Sequence, residues 1–138
     1  MKQKITFLLV VCLLISLVQP VSASSVNENY VSPRYTYISR CSSGLSINES
    51  TGVATCRASC NTSAGYTVQV ECKLQRYMGS YWGTIKTWTD TDTQAVLITK
   101  NWAVYSGYTY RVHTTFSVFN SAGVLLESDV ITDTYSFY

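Results

Sequence analysis

Aromatic side chains are the residues of this sequence with the clearest capacity to bind a ligand. The chain has three tryptophans and 11 tyrosines among 138 residues. Tyr81, Trp82 and Trp88 fall within one short segment, and the two tryptophans have the same parity along a strand. Exposed Trp and Tyr rings stack on sugars and anchor protein interfaces. We therefore predict that Tyr81, Trp82 and Trp88 form part of a binding face, while the alternative is that both tryptophans fill the core.

Four cysteines, Cys41, Cys56, Cys60 and Cys72, are candidates for disulfide bonds, because an even number in an exported chain favours them. Cys56 and Cys60 lie about 13 Å apart along a regular strand, at about 3.3 Å per residue, which is too far for a bond. Folding the intervening hairpins brings Cys41 opposite Cys60 and Cys56 opposite Cys72. We predict these two pairs, with Cys41–Cys56 and Cys60–Cys72 as the second choice.

Catalytic and metal-binding patterns are weak in this sequence. His113 is the only histidine, the strand pattern turns it outward, and no Gly-x-Ser-x-Gly motif is present. Asp90, Asp92, Asp129 and Asp133 would hold calcium, or act as an acid pair, only if separate loops met around a cleft. The Cys-x3-Cys spacing is looser than zinc sites prefer. We therefore predict no enzymatic activity, no metal and no cofactor.

Two alternations with a period of two predict the strands that must position these residues. One covers Tyr66, Val68, Val70, Cys72 and Leu74, and the other covers Tyr108, Tyr110, Val112, Thr114, Phe116 and Val118. Such a period means that one face of each strand is buried and the other is wet. Turn residues separate about seven short strands, with a bulge or parity switch expected near Val130-Ile131. The pattern is typical of an all-β fold, an immunoglobulin- or fibronectin-like antiparallel β-sandwich over residues 40–138.

Tyr110 stands early in the penultimate strand, after a loop that contains Gly107. A tyrosine corner places a tyrosine there and bonds its hydroxyl to upstream backbone. A plain core tyrosine fits the same pattern, so both interpretations stay open.

The first 23 residues have the pattern of a cleavable signal peptide. Lys2 and Lys4 precede an apolar stretch over 8–18, and Val21-Ser22-Ala23 supplies small residues for cleavage. We expect a secreted, extracellular protein with an N-terminal arm over 24–39 and no stable membrane anchor. Without the two signal lysines the net charge of +2 falls to zero, which argues against a nucleic-acid partner.

Several short motifs resemble a known family. The motifs are Leu74-Gln75-Arg76, Trp82, Lys86-x-Trp88, and Gly107 with Tyr110-Arg111-Val112. They are similar to a family of small secreted proteins from Gram-positive bacteria, which is catalogued as a domain of unknown function. The resemblance implies an exported single β domain and assigns no catalytic or binding residues. We expect a non-enzymatic module that binds a glycan or a protein at a surface. The second hypothesis is a secreted bacteriocin-like toxin or inhibitor.

Overall fold

The structure, a computed structural model, describes residues 35–138. The predicted signal peptide and most of the predicted arm lie outside the described residues. The described part contains seven strands: β1 (Ile38–Asn48), β2 (Val53–Thr62), β3 (Thr67–Tyr77), β4 (Trp82–Thr93), β5 (Ala95–Ala103), β6 (Tyr108–Phe119) and β7 (Leu125–Phe137). The first strand thus begins two residues before the predicted domain boundary.

The strands form two antiparallel sheets, one of three strands in the order β1-β2-β5 and one of four in the order β4-β3-β6-β7. The predicted all-β sandwich of about seven strands is therefore confirmed. Residues 35–138 include no helix, and hence none that is long and apolar enough to cross a membrane.

The core lies between the two sheets and consists mainly of the residues that the alternation predicted. Val68, Val70, Cys72 and Leu74 of β3 are fully buried. Their partners across the core include Ala54, Ala58 and Ile98 of the three-stranded sheet. Strand β6 adds its own inward row of Tyr110, Val112, Thr114, Phe116 and Val118. Burial of these apolar side chains supplies the main force that holds the sheets together.

Tyr110 forms a tyrosine corner, which decides between the two interpretations of the sequence. Its ring is buried, and its hydroxyl donates a hydrogen bond of 2.8 Å to the carbonyl oxygen of Tyr105. The same hydroxyl accepts a hydrogen bond of 3.1 Å from the Tyr105 amide. One side chain therefore fixes both backbone groups of Tyr105, which precedes the bend in the loop before β6.

The structure contains one of the two predicted disulfide bonds. Cys41 of β1 lies directly opposite Cys60 of β2, with a Cα–Cα distance of 4.1 Å, and the two are joined by a disulfide. Cys56 and Cys72 are buried free thiols in the structure, so the predicted second bond is not formed there. The expected hairpin between them is also absent, because β2 and β3 belong to different sheets and bring these residues into one core.

Strand β7 keeps a single parity from Glu127 to Phe137, so the bulge or parity switch predicted near Val130-Ile131 was wrong. Its register with β6 is continuous from Glu127 to Phe137. The register shift of this strand lies nearer its start, where Leu126 is an extra residue. The inward positions include the acids Glu127, Asp129 and Asp133, opposite buried residues of β6. Inward acids contradict a simple apolar alternation, and that is why the sequence suggested a switch.

These three carboxylates bind the free edge of β1 and the segment before it. Glu127 accepts hydrogen bonds from the amides of Thr36, Tyr37 and Ile38, at 2.8 to 3.0 Å. Asp133 accepts one of 2.8 Å from the Leu45 amide, and the Tyr35 hydroxyl donates to Asp129. The carboxylates thus satisfy edge amides that would otherwise attract another strand.

Replacing Glu127 by Gln should loosen the start of β1. Burial raises the pKa of Glu127, but the three amide donors lower it by more, so the net shift is downward from 4.5. The contribution of Glu127 to stability is therefore present above pH 4.5 and is lost as the pH falls through the lower folded value. We expect hydrogen-exchange protection of the Tyr37 and Ile38 amides to fall in Glu127→Gln at pH 7. Glu71→Gln, which removes only a surface ion pair with Lys73, should leave that protection unchanged.

Candidate functional site

A bulge in β4 separates the aromatic residues that the sequence grouped together. Leu74 of β3 pairs with Lys86, whereas the next residue, Gln75, pairs with Thr84, so Ile85 is an extra residue on β4. Trp88 pairs with buried Cys72 and points inward, while Trp82 pairs with exposed Tyr77 on the outer face. The shared parity of the two tryptophans therefore does not place them on one face.

Most exposed apolar side chains lie at one end of the sandwich, which we call the aromatic end. It comprises the β3–β4 and β5–β6 loops, the strand ends beside them and the last residue. Its exposed large side chains are Tyr77, Met78, Tyr81, Ile85, Trp102, Tyr105, Tyr108 and Tyr138. Clustered exposed apolar groups of this kind mark interaction sites more often than scattered ones do.

A pocket of about 380 Å³ opens at the aromatic end. It is lined by Arg76, Ile85, Trp102, Ala103, Val104, Tyr105 and Tyr110. The volume falls within the range of small-molecule and sugar sites, and the mixture of rings with one cation is typical of them. We refer to it as the end pocket.

Backbone contacts hold the loop that carries Tyr105 in place. The Val104 amide donates a hydrogen bond of 2.8 Å to the Gly52 carbonyl oxygen, and the hydroxyl of Tyr110 binds both backbone groups of Tyr105. Gly52 has a φ of +65°, and a Cβ there would lie 2.8 Å from the Val104 carbonyl oxygen. The exposed ring of Tyr105 is therefore presented on a fixed backbone.

Two cations at the end pocket stack on aromatic rings. The Arg76 guanidinium lies 4.5 Å from the centre of the Tyr108 ring, and the Lys86 ammonium lies 4.9 Å from the centre of the Trp102 ring. Trp102 also meets Trp88 edge to face at 6.4 Å. Among residues 35–138, neither cation forms an ion pair with a carboxylate. Both charges therefore remain available to an anionic ligand.

A third stack lies beside the pocket on the outer face of the four-stranded sheet. The Arg111 guanidinium lies 4.3 Å from the centre of the Trp82 ring, which also contacts Tyr77 at 5.2 Å. Arg111 Nε donates a hydrogen bond of 2.8 Å to Gln75, and Gln75 donates one of 3.0 Å to Thr84. This network fixes the guanidinium plane over the ring and leaves its outer nitrogens without a partner among the described residues.

The structure thus places the three residues of the predicted binding face on two different sides of β4. Tyr81 is 61% exposed at the aromatic end, and Trp82 is half-buried beside it on the outer face. Trp88 is half-buried against the core on the other side of β4. The third tryptophan, Trp102, is 38% exposed, so each of the three is at least partly accessible to solvent.

Sequence reasoning missed the residues that surround the end pocket. Arg76, Trp102 and Tyr108 lie at the ends of three strands and Tyr105 lies in the β5–β6 loop, and the sheet topology brings Arg76 to the other three. A usable signal existed in the short spacing between Trp102, Tyr105 and Tyr108 around a Gly-containing turn. That spacing places several rings on one loop and its two flanks.

The other candidate residues take structural positions. His113 lies on the outer face between Lys73 and Thr132, and its Nδ1 is buried without a hydrogen-bond partner among the described residues. Asp129 and Asp133 bind β1 and the segment before it. No group of three or more His, Cys, Asp or Glu residues within 35–138 is placed to hold a metal ion.

Comparisons with known protein families and with curated proteins find no match to this chain.

Proposed function

We propose that this protein is a secreted, non-enzymatic binding module that attaches through its aromatic end to an acidic glycan at a cell surface. The observation that carries the proposal is the end pocket, which is lined by Arg76, Trp102 and Tyr105. Tyr108 stacks on Arg76 and Lys86 stacks on Trp102 beside it. Aromatic faces stack on sugar rings, while a guanidinium recognises a carboxylate or a phosphate in bidentate geometry. An acidic sugar offers both chemistries to one site.

The Arg111–Trp82 stack extends the proposed surface beyond the pocket. It supplies a second ring with an adjacent guanidinium, so a glycan longer than one residue would meet a further aromatic contact. Tyr81, which precedes Trp82, adds an exposed ring at the same end. In this proposal Tyr81 and Trp82 belong to the binding surface and Trp88 supports Trp102 from behind.

The geometry favours binding over catalysis. The end pocket contains rings and cations, and its lining includes no carboxylate, histidine, serine or cysteine that would act as a general base or nucleophile. His113 lies mid-strand, with Lys73 and Thr132 as its cross-strand neighbours.

A secreted toxin or inhibitor that acts on membranes is the second candidate. One observation favours it: the same end exposes Tyr105, Tyr138 and Tyr81 at 77%, 81% and 61% beside unpaired cations. Aromatic rings with basic side chains also characterise proteins that lie at the interface of an anionic bilayer.

Binding of the purified mature protein to polygalacturonate, with neutral dextran as comparison, tests the main proposal. We expect salt-sensitive binding to polygalacturonate and at least tenfold weaker binding after Arg76→Gln or Trp102→Ala, since one lost contact of about 1.4 kcal/mol changes Kd tenfold. Trp82→Ala should weaken binding to long chains more than to a disaccharide.

Two variants provide matched controls. Arg40→Gln removes an exposed cation at the opposite end, and Leu125→Ala removes an exposed apolar side chain there. Both should bind like the parent protein. Equal loss in Arg40→Gln and Arg76→Gln would contradict a defined site, and dye release from phosphatidylglycerol vesicles without glycan binding would favour the toxin.

A further inference from the structure

A second, separate groove of about 670 Å³ runs between β4 and β5. Its walls are Thr87, Trp88, Thr89 and Asp90 on β4 and Leu97, Ile98, Thr99 and Lys100 on β5. The two strands are consecutive but belong to different sheets, and the chain crosses between the sheets at Gln94, which has a φ of +71°. From that corner the strands diverge and leave the groove open along the side of the sandwich.

Both walls of the groove are free sheet edges. β4 pairs only with β3, and β5 pairs only with β2, among the described strands. The edge of β1 differs, because carboxylates of β7 occupy its amides. Within residues 35–138, no comparable side chain covers β5 between Leu97 and Lys100, and Leu97 is 72% exposed. An uncovered edge of this length is a template for another extended segment.

Charged residues occupy inward-facing positions of the groove. Asp90 pairs with buried Val70, and Lys100 pairs with buried Cys56, so both point towards the space between the sheets. Neither forms an ion pair among residues 35–138. The only hydrogen bond that the Asp90 carboxylate accepts within these residues comes from the Thr91 amide. The walls therefore present one negative and one positive charge, each able to pair with a ligand.

The two charges are offset along the groove by two residues. Counted from the corner at Gln94, Asp90 is level with Ile98, and Lys100 is level with Trp88. Side chains two residues apart on a strand point to the same side. A ligand strand that carries a cation at one position and an anion two positions away would place both into the groove.

We propose that this groove binds an extended peptide segment of a partner protein by strand addition to β5. Backbone hydrogen bonds to the free edge supply affinity, and Asp90 and Lys100 select a segment with opposite charges two residues apart. Trp88 and Ile98 point the same way as the two charges and form the apolar floor beneath the two charged side chains of the ligand. This site is distinct from the aromatic end and does not depend on the function proposed for it.

Three nonapeptides test the proposal: acetyl-Thr-Val-Thr-Lys-Val-Glu-Thr-Val-Thr-amide and its two like-charged analogues, with Lys-Val-Lys or Glu-Val-Glu at the centre. We expect the Lys-Val-Glu peptide to bind at least tenfold more tightly than either analogue, with new exchange protection of amides in Leu97–Lys100. Lys100→Asp should transfer the preference to Lys-Val-Lys, and Asp90→Lys should transfer it to Glu-Val-Glu. This exchange does not depend on the direction in which the peptide lies.

Inward-pointing charges also protect edges from unwanted pairing, and a variant without them identifies that role. If the charges act only as guards, the parent protein binds none of the three peptides, and the double variant Asp90→Ala, Lys100→Ala self-associates in size-exclusion chromatography. That result, or an unchanged order of affinities in both variants, overturns the proposal. Arg40→Gln serves as the control for net charge.

Discussion

Raising the pH from 9 to 12 should lower the free energy of unfolding of this protein by about 3 kcal/mol through Cys56 alone. Desolvation in the core, followed by the proximity of Cys72, raises the pKa of the Cys56 thiol from 9.0 to about 12. The unfolded chain loses this proton near pH 9, while the folded chain keeps it. Stability is therefore complete below pH 9 and falls by about 1.4 kcal/mol per pH unit above it.

Urea unfolding at pH 8, 9.5 and 11 measures this effect. Tyrosines titrate in the same range, so the relevant quantity is the difference between the parent protein and Cys56→Ala, in which the thiol is absent. Burial also raises the pKa of Cys72, so both thiols should resist alkylation in the folded protein and react only after unfolding. If the two residues are joined, as the sequence predicted, no thiol of the parent protein will react, and above pH 9 the parent will lose less stability than Cys56→Ala, in which Cys72 becomes a free buried thiol.

Replacing Tyr110 by Phe should cost about 2 kcal/mol of stability, although it removes a single oxygen atom. The hydroxyl serves the amide and the carbonyl of Tyr105, and an unsatisfied buried polar group costs about 1–3 kcal/mol. For a domain of this size we expect the Tm to fall by about 10 °C. The loop that carries Tyr105 should also become more mobile, which couples the fold to the end pocket.

Tyr108→Phe is the matched control for this prediction. Tyr108 lies two residues earlier on the same strand, is exposed, and uses its ring rather than its hydroxyl to contact Arg76. Phe preserves that ring, so the Tm should change by no more than about 2 °C. Calorimetry of both variants makes the comparison, and equal shifts would show that the tyrosine corner adds little.

The strands of the core could be predicted because their side chains obey a single rule. Val68, Val70, Cys72 and Leu74 alternate with polar neighbours, and burial of one face makes that register the only favourable one. The Cys41–Cys60 bond followed from the same logic, since a short turn sets the pairing of its hairpin. Local periodicity was sufficient in both cases.

The rest depended on contacts between segments that are distant in the sequence. The extra residue at Ile85 places Trp82 on the opposite face of β4 from Trp88. Nothing in the local sequence distinguishes this bulged strand from a regular one. Asp133 faces inward because its carboxylate accepts a hydrogen bond from the Leu45 amide of β1. The end pocket likewise depends on the topology, because the local spacing of Trp102, Tyr105 and Tyr108 could not show that Arg76 of β3 lies beside them.

The carboxylate contacts between β7 and β1 have a mechanical consequence. Both strands run in the same direction, from the end that carries Ile38 to the end that carries Tyr138. Tension applied between Ile38 and Tyr138 would therefore act along the strands, and many bonds would have to shear together instead of opening one after another. The disulfide at Cys41 would pass part of that load to β2. A protein held by its aromatic end would thus resist being pulled from the opposite end.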